Sequence, residues 1–184
     1  MVSSLLANRE CGECTECCKW LPIDDVGLQK QANVVCQHCE VGSGCRIYES
    51  RPQPCRDWYC GWRILRQFDE SWRPDRSGIV IEFEDRDIPP AYRAPGIRFF
   101  IVGPFESILK PGFAEAVGVY VEARVATFIS IPGPVGHFPL KLLVNELVEL
   151  AVAQRDRDLL LATLLDGLEI LSRQEFDPVV LQRR

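Results

Sequence analysis

The sequence predicts an α+β fold in two parts. An irregular cysteine-rich N-terminal module covers residues 1–76, and an α+β C-terminal lobe ending in two helices covers residues 77–184. Three observations predict this. All nine cysteines fall between Cys11 and Cys60. Beyond Gly78 the composition turns β-branched, with strand-like runs at 79–84, 97–102 and 125–131 bounded by proline and glycine. From Pro139 onward the apolar residues recur at a helical period.

In chain order, residues 1–10 read as a short leader with a turn of helix. In 11–20, Cys11, Cys14 and Cys18 share one face if the segment is helical. An irregular loop around Gly12 is the alternative, and spacing does not decide between them. Asp24 or Asp25 is placed to cap a helix through 26–33. Residues 36–44 are turn-like and 45–48 suit a short strand. Pro52 and Pro54 force an extended or turning path before a helix over 55–68. A polar joint at 73–78 precedes the strand at 79–84. Residues 113–124 suit helix or strand equally. In 139–150, Leu140, Leu143, Val144, Leu147 and Leu150 share a helical face. Asp156 or Asp158 caps a last helix that turns Leu161, Leu164, Leu165 and Leu168 inward.

Bulk properties narrow the function classes. A chain of 184 residues can bury a core without covalent staples, so the cysteines are not there to prop up an undersized fold. A net charge of −5 speaks against a nucleic-acid binder or an anionic-membrane binder, which carries a basic footprint. No apolar run is long enough to span a bilayer, and the N-terminus lacks the pattern of a signal peptide. A reducing cytoplasm is the expected compartment, and an odd cysteine count agrees with free or metal-bound thiols.

Thiolates are soft ligands suited to zinc and to iron–sulfur centres. Pairs spaced C-x2-C let one turn bring both sulfurs to one ion, and Cys11/Cys14, Cys14/Cys17 and Cys36/Cys39 all have this spacing. The candidate metal ligands are therefore Cys11, Cys14, Cys17, Cys18, Cys36, Cys39, Cys45, Cys55 and Cys60. Adjacent Cys17 and Cys18 do not aim at one point from regular backbone, which suggests two sites or a bridging role. Cys11, Cys14 and Cys17 match the opening of the bacterial ferredoxin run, but Cys18 follows at once and breaks it. His38 lies between Cys36 and Cys39 as a further candidate, ahead of His137. Arg51 and Arg56 could donate N–H groups to thiolate sulfurs or form surface ion pairs. Trp20, Trp58, Trp62 and Trp72 suit either an ordinary aromatic core or an apolar shell around a metal. No nucleotide loop, nucleophile elbow or HExxH motif is present.

Cys14-Thr15-Glu16-Cys17-Cys18, then Cys36, then the run from Cys45-Arg46-Ile47-Tyr48 through Arg51-Pro52-Gln53-Pro54-Cys55-Arg56, resemble the YkgJ-type cysteine-cluster family. That family is described as a zinc- or iron-chelating domain. The resemblance covers residues 11–60 and implies that Cys14, Cys17, Cys18, Cys36, Cys45 and Cys55 occupy the family's ligand positions. Cys11 and Cys60 match cysteines found in many members, and Cys39 stands where an apolar residue is usual. The resemblance says nothing of the second lobe.

The leading expectation is a cytoplasmic metal-binding protein chelating zinc or iron, with an iron–sulfur cluster as one form of the iron. An iron–sulfur enzyme or electron-transfer protein, with a substrate or partner site in the C-terminal lobe, is the alternative. A metal-delivery module that passes its metal to a protein partner is a third reading.

Overall fold

Alternating residues of the strand at 79–84 build a sheet with two unlike faces. A computed structural model describes residues 5–181. Its cysteine-rich N-terminal part holds α1 (Glu16–Trp20), a hairpin of β1 (Ile23–Asp25) and β2 (Leu28–Lys30), a second small hairpin of β3 (Cys39–Glu40) and β4 (Gly44–Cys45), and α2 (Gln53–Asp57). The single turn α3 (Pro74–Ser77) leads into β5 (Ile79–Glu84) and β6 (Arg93–Ile101). Then come α4 (Phe113–Glu122), β7 (Val125–Ile131), β8 (Leu140–Leu143), α5 (Asn145–Gln154) and α6 (Arg157–Ser172). The main sheet runs β5-β6-β7-β8, and only the β6/β7 pair is parallel, joined through α4.

Ile79 and Ile81 of β5, Phe99 of β6 and Ile129 of β7 face α4, α5 and α6 and form the main core with Phe113, Val148 and Leu164. Phe68, Trp72, Phe99 and Phe113 meet tilted, edge-on or stacked within it, so Trp72 belongs to this core. The opposite face carries the intervening residues. There Glu82 pairs in register with Arg98, and Val80 with Phe100. The cysteine-rich part lies over this second face. Trp20 meets Phe100 edge-on at 6.4 Å, and Asn33 Nδ2 donates to the carbonyls of Gly133 and Pro134 at 2.6 and 2.9 Å.

Several local expectations differ from the structure. Residues 26–33 form no helix. Asp25 Oδ1 accepts from the Gly27 N–H at 3.0 Å, so the side chain closes the β1/β2 turn instead of capping a helix. The helix expected over 55–68 is only α2, followed by a 3-10 turn at Gly61–Arg63. Of the strand expected at 45–48 only Cys45 lies in one, β4, and a 3-10 turn at Tyr48–Ser50 takes the end of the segment. Residues 140–143 are a strand, because they complete the sheet edge against β7. Helix α5 therefore turns Val148, Ala151 and Val152 inward and leaves Leu147 and Leu150 exposed. The ambiguous segment 113–124 is helical. Asp156 caps α6 as expected, accepting from the Leu159 N–H at 2.9 Å, and Leu165 is only half-buried. The N-terminal leader lies partly outside the described residues, and its described part is irregular.

Candidate metal centre

Short backbone links gather the cysteines. The Cys14 N–H donates to Cys11 O at 2.8 Å, Cys36 N–H to Cys18 O at 2.9 Å, and Cys39 N–H to Cys36 O at 2.9 Å. Cys11 and Cys14 lie in an irregular loop ahead of α1, which carries Cys17 and Cys18. Cys39 and Cys45 face each other across the second hairpin. Gly44 sits there at φ +112°, where a Cβ would come within 2.9 Å of Gly12 O. Only glycine lets the two cysteine loops approach so closely. Cys55 stands on α2, which Pro52 and Pro54 start at a fixed angle.

All the cysteines except Cys39 line one cavity of about 870 Å³ between the module and the second face of the sheet. All nine are free thiols, and Cys36 is the most buried. They fall into two neighbourhoods. Cys11, Cys14 and Cys17 act on one another electrostatically, with Cys60 close to Cys14. Cys18, Cys36, Cys45 and Cys55 form the second, joined by Cys39, which hydrogen-bonds Cys18 and Thr15. The Cys17–Cys18 hydrogen bond links the two.

That link makes the adjacent thiols unlike. Cys18 is pulled down to about 6, chiefly by the hydrogen bond from Cys17; burial opposes this, while Cys39, Lys30 and Arg51 favour the thiolate. Cys17 is pushed well above the ordinary thiol range by the same hydrogen bond and by burial. Burial raises Cys14 and Cys39 to about 11 and Cys60 to about 12.

The cations around the thiols are built in. Lys30 is only 5% exposed. Its ammonium donates to the carbonyls of Lys19, Gln31 and Val34 at 3.0, 3.1 and 2.8 Å. Burial lowers its pKa, and the groups that oppose this are Cys36, Cys18, Cys17 and Cys55, of which Cys18 is the one favoured as a thiolate. Arg63 Nη1 lies 3.7 Å from Cys11 Sγ. Of the two expected arginines, Arg51 favours the thiolates of Cys18 and Cys55, whereas Arg56 turns out to Gln53 at 2.9 Å. The half-buried His38 reaches Gln37 at 3.3 Å. His137 lies apart, in a bridge with Pro178.

The far wall of the cavity is ionic. Arg98 pairs with the buried Glu82 and, at 3.6 Å, with Glu84; Lys141 Nζ lies 3.1 Å from both Glu84 and Asp87. Burial raises the pKa of Glu82. Sequence reasoning missed this row and also Lys30 and Arg63. Its only trace was the period-two recurrence of Glu82 and Glu84 within an apolar strand.

The donor set suits a thiophilic metal by its chemistry. Among the described residues, however, no three Cys, His, Asp or Glu side chains converge closely enough to hold an ion as they stand. No helix of the described residues is long and apolar enough to cross a membrane. No family model, curated protein or solved structure matches the chain.

Proposed function

We propose that this is a metal-binding protein whose N-terminal cysteines chelate zinc or iron, the iron either as an ion or as an iron–sulfur cluster. The observation that carries the reading is the gathering of eight thiols on one cavity, four of them beside a buried ammonium. Lys30 is held by three neutral carbonyls, so its charge favours anions nearby, and the groups placed to supply them are the sulfurs of Cys36, Cys18, Cys17 and Cys55, with Cys18 foremost. Metal binding keeps cysteines in that deprotonated form. Cys11, Cys14, Cys17 and Cys60 would serve one neighbourhood, and Cys18, Cys36, Cys39, Cys45 and Cys55 the other. The resemblance of residues 11–60 to the YkgJ-type cluster family supports the same assignment, as does the expected reducing cytoplasm. A bound metal would supply a fixed positive centre that locks these loops and, in an iron–sulfur form, one-electron chemistry.

The deciding experiment is a visible absorption spectrum of anaerobically purified protein, with elemental analysis of the same sample. Brown absorbance with iron and acid-labile sulfide identifies a cluster, and a colourless sample with stoichiometric zinc identifies a thiolate site. A sample that carries neither metal and takes up neither under reducing conditions defeats the reading. Counting metal in the single replacements Cys17→Ser and Cys18→Ser then tests whether the two neighbourhoods are separate sites.

A second reading, as an iron–sulfur enzyme or electron-transfer protein, is favoured by one observation. The cavity is far larger than an ion, and the C-terminal lobe supplies its other wall through Glu82 and Arg98.

A further inference from the structure

Two guanidiniums line the cavity beside the thiols, and the groups that act on them most strongly are tyrosines and a thiol. Arg51 is influenced by Tyr48 and Tyr59. Arg63, only 7% exposed, is influenced by Cys11 and Tyr48. The two share an aromatic cradle. The Arg51 guanidinium lies 3.8 Å from the Tyr48 ring centroid, and the Tyr48 hydroxyl accepts from Arg63 Nη1 at 3.3 Å. Both guanidinium carbons stand near the Tyr59 ring, at 5.9 and 5.8 Å. The Nε donor of each arginine is buried with no hydrogen-bond partner.

The tyrosines hold these cations through ring faces and a hydroxyl oxygen and bring no carboxylate to them. Two like charges gathered at one ring, with donors left over, are a costly arrangement unless an anion completes it. Cys18 and Cys55 offset part of the Arg51 charge and Cys11 part of that of Arg63, but the Nε donor of each fork stays unmatched. Guanidinium forks match the flat oxygens of carboxylate and phosphate. The cavity's 870 Å³ falls in the range of small-molecule sites, roughly 300–1,000 Å³. It is also on the order of thirty times the volume of one water, so metal ions at the thiols would leave most of it free.

We propose that Arg51 and Arg63, set on Tyr48 and Tyr59, form an anion-binding site that takes the carboxylate or phosphate group of a small organic ligand, with the ligand's body in the cavity between the thiols and the sheet. The site goes beyond metal chelation and does not depend on it.

The test is isothermal titration of the intact chain as purified, at constant ionic strength, with sodium phosphate in one arm and sodium malonate in the other. Metal content is measured on the same samples. Saturable binding in at least one arm is expected, and the stronger arm tells a phosphorylated ligand from a carboxylic acid. Arg51→Gln weakens that binding tenfold or more when samples matched for metal content are compared, and Arg56→Gln leaves it as it was. If Arg51→Gln does not fold, Arg51→Lys carries the test: it keeps the charge but loses the fork, and weakens binding several-fold. Absence of saturation in both arms overturns the proposal. So does wild-type affinity in the folded Arg51 variant, and so does an Arg51 variant that loses metal but not anion affinity. Anion binding by a metal-free chain leaves this proposal standing and counts against metal chelation alone.

Discussion

Replacing Lys30 with methionine removes a buried charge while keeping an unbranched side chain of similar length. Three carbonyl groups then lose a charged donor. Each such bond is worth roughly 1.5–3 kcal/mol, but the ammonium's own desolvation, several kcal/mol, offsets most of the sum. The expected net loss of folding stability is therefore only about 1–2 kcal/mol. The larger effect falls on metal affinity. At a separation of roughly 6 Å and an effective dielectric of about 20, one ammonium–thiolate pair is worth roughly 3 kcal/mol. Half of that, allowing for solvent and mobile ions, still corresponds to about a tenfold change in affinity. The assay is competition for the bound metal against a chromophoric chelator, on wild type and Lys30→Met at equal concentration, with urea unfolding as the stability control. A tenfold or greater loss of affinity, with at most a modest loss of stability, is expected. Metal affinity within about twofold of wild type would refute the reasoning, since Lys30 would then be only a strut for three carbonyls.

Further predictions concern the sheet and its attachment to the module. Burial pushes the Glu84 carboxyl up, but the Arg86 N–H, Lys141 and Arg98 outweigh it and hold the pKa below the ordinary value. The stability Glu84 contributes is therefore fully present above the unfolded value of about 4.3 and is lost as pH falls through the lower folded value. Accordingly, the gap in unfolding free energy between wild type and Glu84→Gln, about 1–2 kcal/mol at pH 7, narrows on acidification below that range; a gap that widens there contradicts the ion row. Asn145 is 3% exposed, accepts from the Thr127 N–H at 2.8 Å and donates to Val125 O at 2.8 Å. Asn145→Ala leaves the Thr127 N–H without its partner, while Val125 O keeps the Thr127 hydroxyl at 2.9 Å, and costs about 1–3 kcal/mol in urea unfolding; a cost under about 0.5 kcal/mol counts against this bracket. A Cβ at Gly61 would lie 2.6 Å from Ile81 Cγ2 and 3.3 Å from Ile81 O. Gly61→Ala costs about 1–3 kcal/mol and lowers Tm by several degrees, and an unchanged Tm would mean that module and sheet separate easily there.

The parts of the fold legible in the sequence were those whose local pattern agrees with their tertiary role. The strands at 79–84 and 125–131 are β-branched and buried, and Asp156 sits one residue before a long apolar helix. Elsewhere tertiary context overrode local pattern. Leu140, Leu142 and Leu143 suit either period, and what makes them a strand is the open edge of β7, to which the sequence gives no pointer. In 24–33 a two-residue contest decided the outcome, since Asp25 closes a turn on Gly27 before a helix can start. The gathering of the cysteines was legible because thiols are rare and their spacing is conspicuous. Arg51 was a candidate because it flanks the cluster, whereas Lys30 and Arg63 act through burial, and a lysine or arginine in a polar stretch looks the same whether it faces water or a thiol. Glu82 and Arg98 were hidden for a related reason. Alternating charges on a strand usually mark the solvent side, and here another part of the chain lies over that side.

The described N-terminal segment and the end of the cysteine region are stitched together. The Leu6 N–H donates to Arg63 O at 3.0 Å. Arg9 reaches Trp62 O, and its other donors reach Leu65 O at 3.0 Å and Arg66 O at 3.3 Å. Every thiol therefore lies on a loop with a closed neck. A loop whose ends are already held recloses at small entropic cost, so the cysteine region can slacken and re-form without disturbing the β-sheet beyond it. Gain or loss of an occupant then becomes a local event. Amide hydrogen exchange over residues 11–60 speeds up in the empty chain and slows in the filled one, while the amides of Ile81, Phe99 and Ile129 exchange only at the rate set by global unfolding.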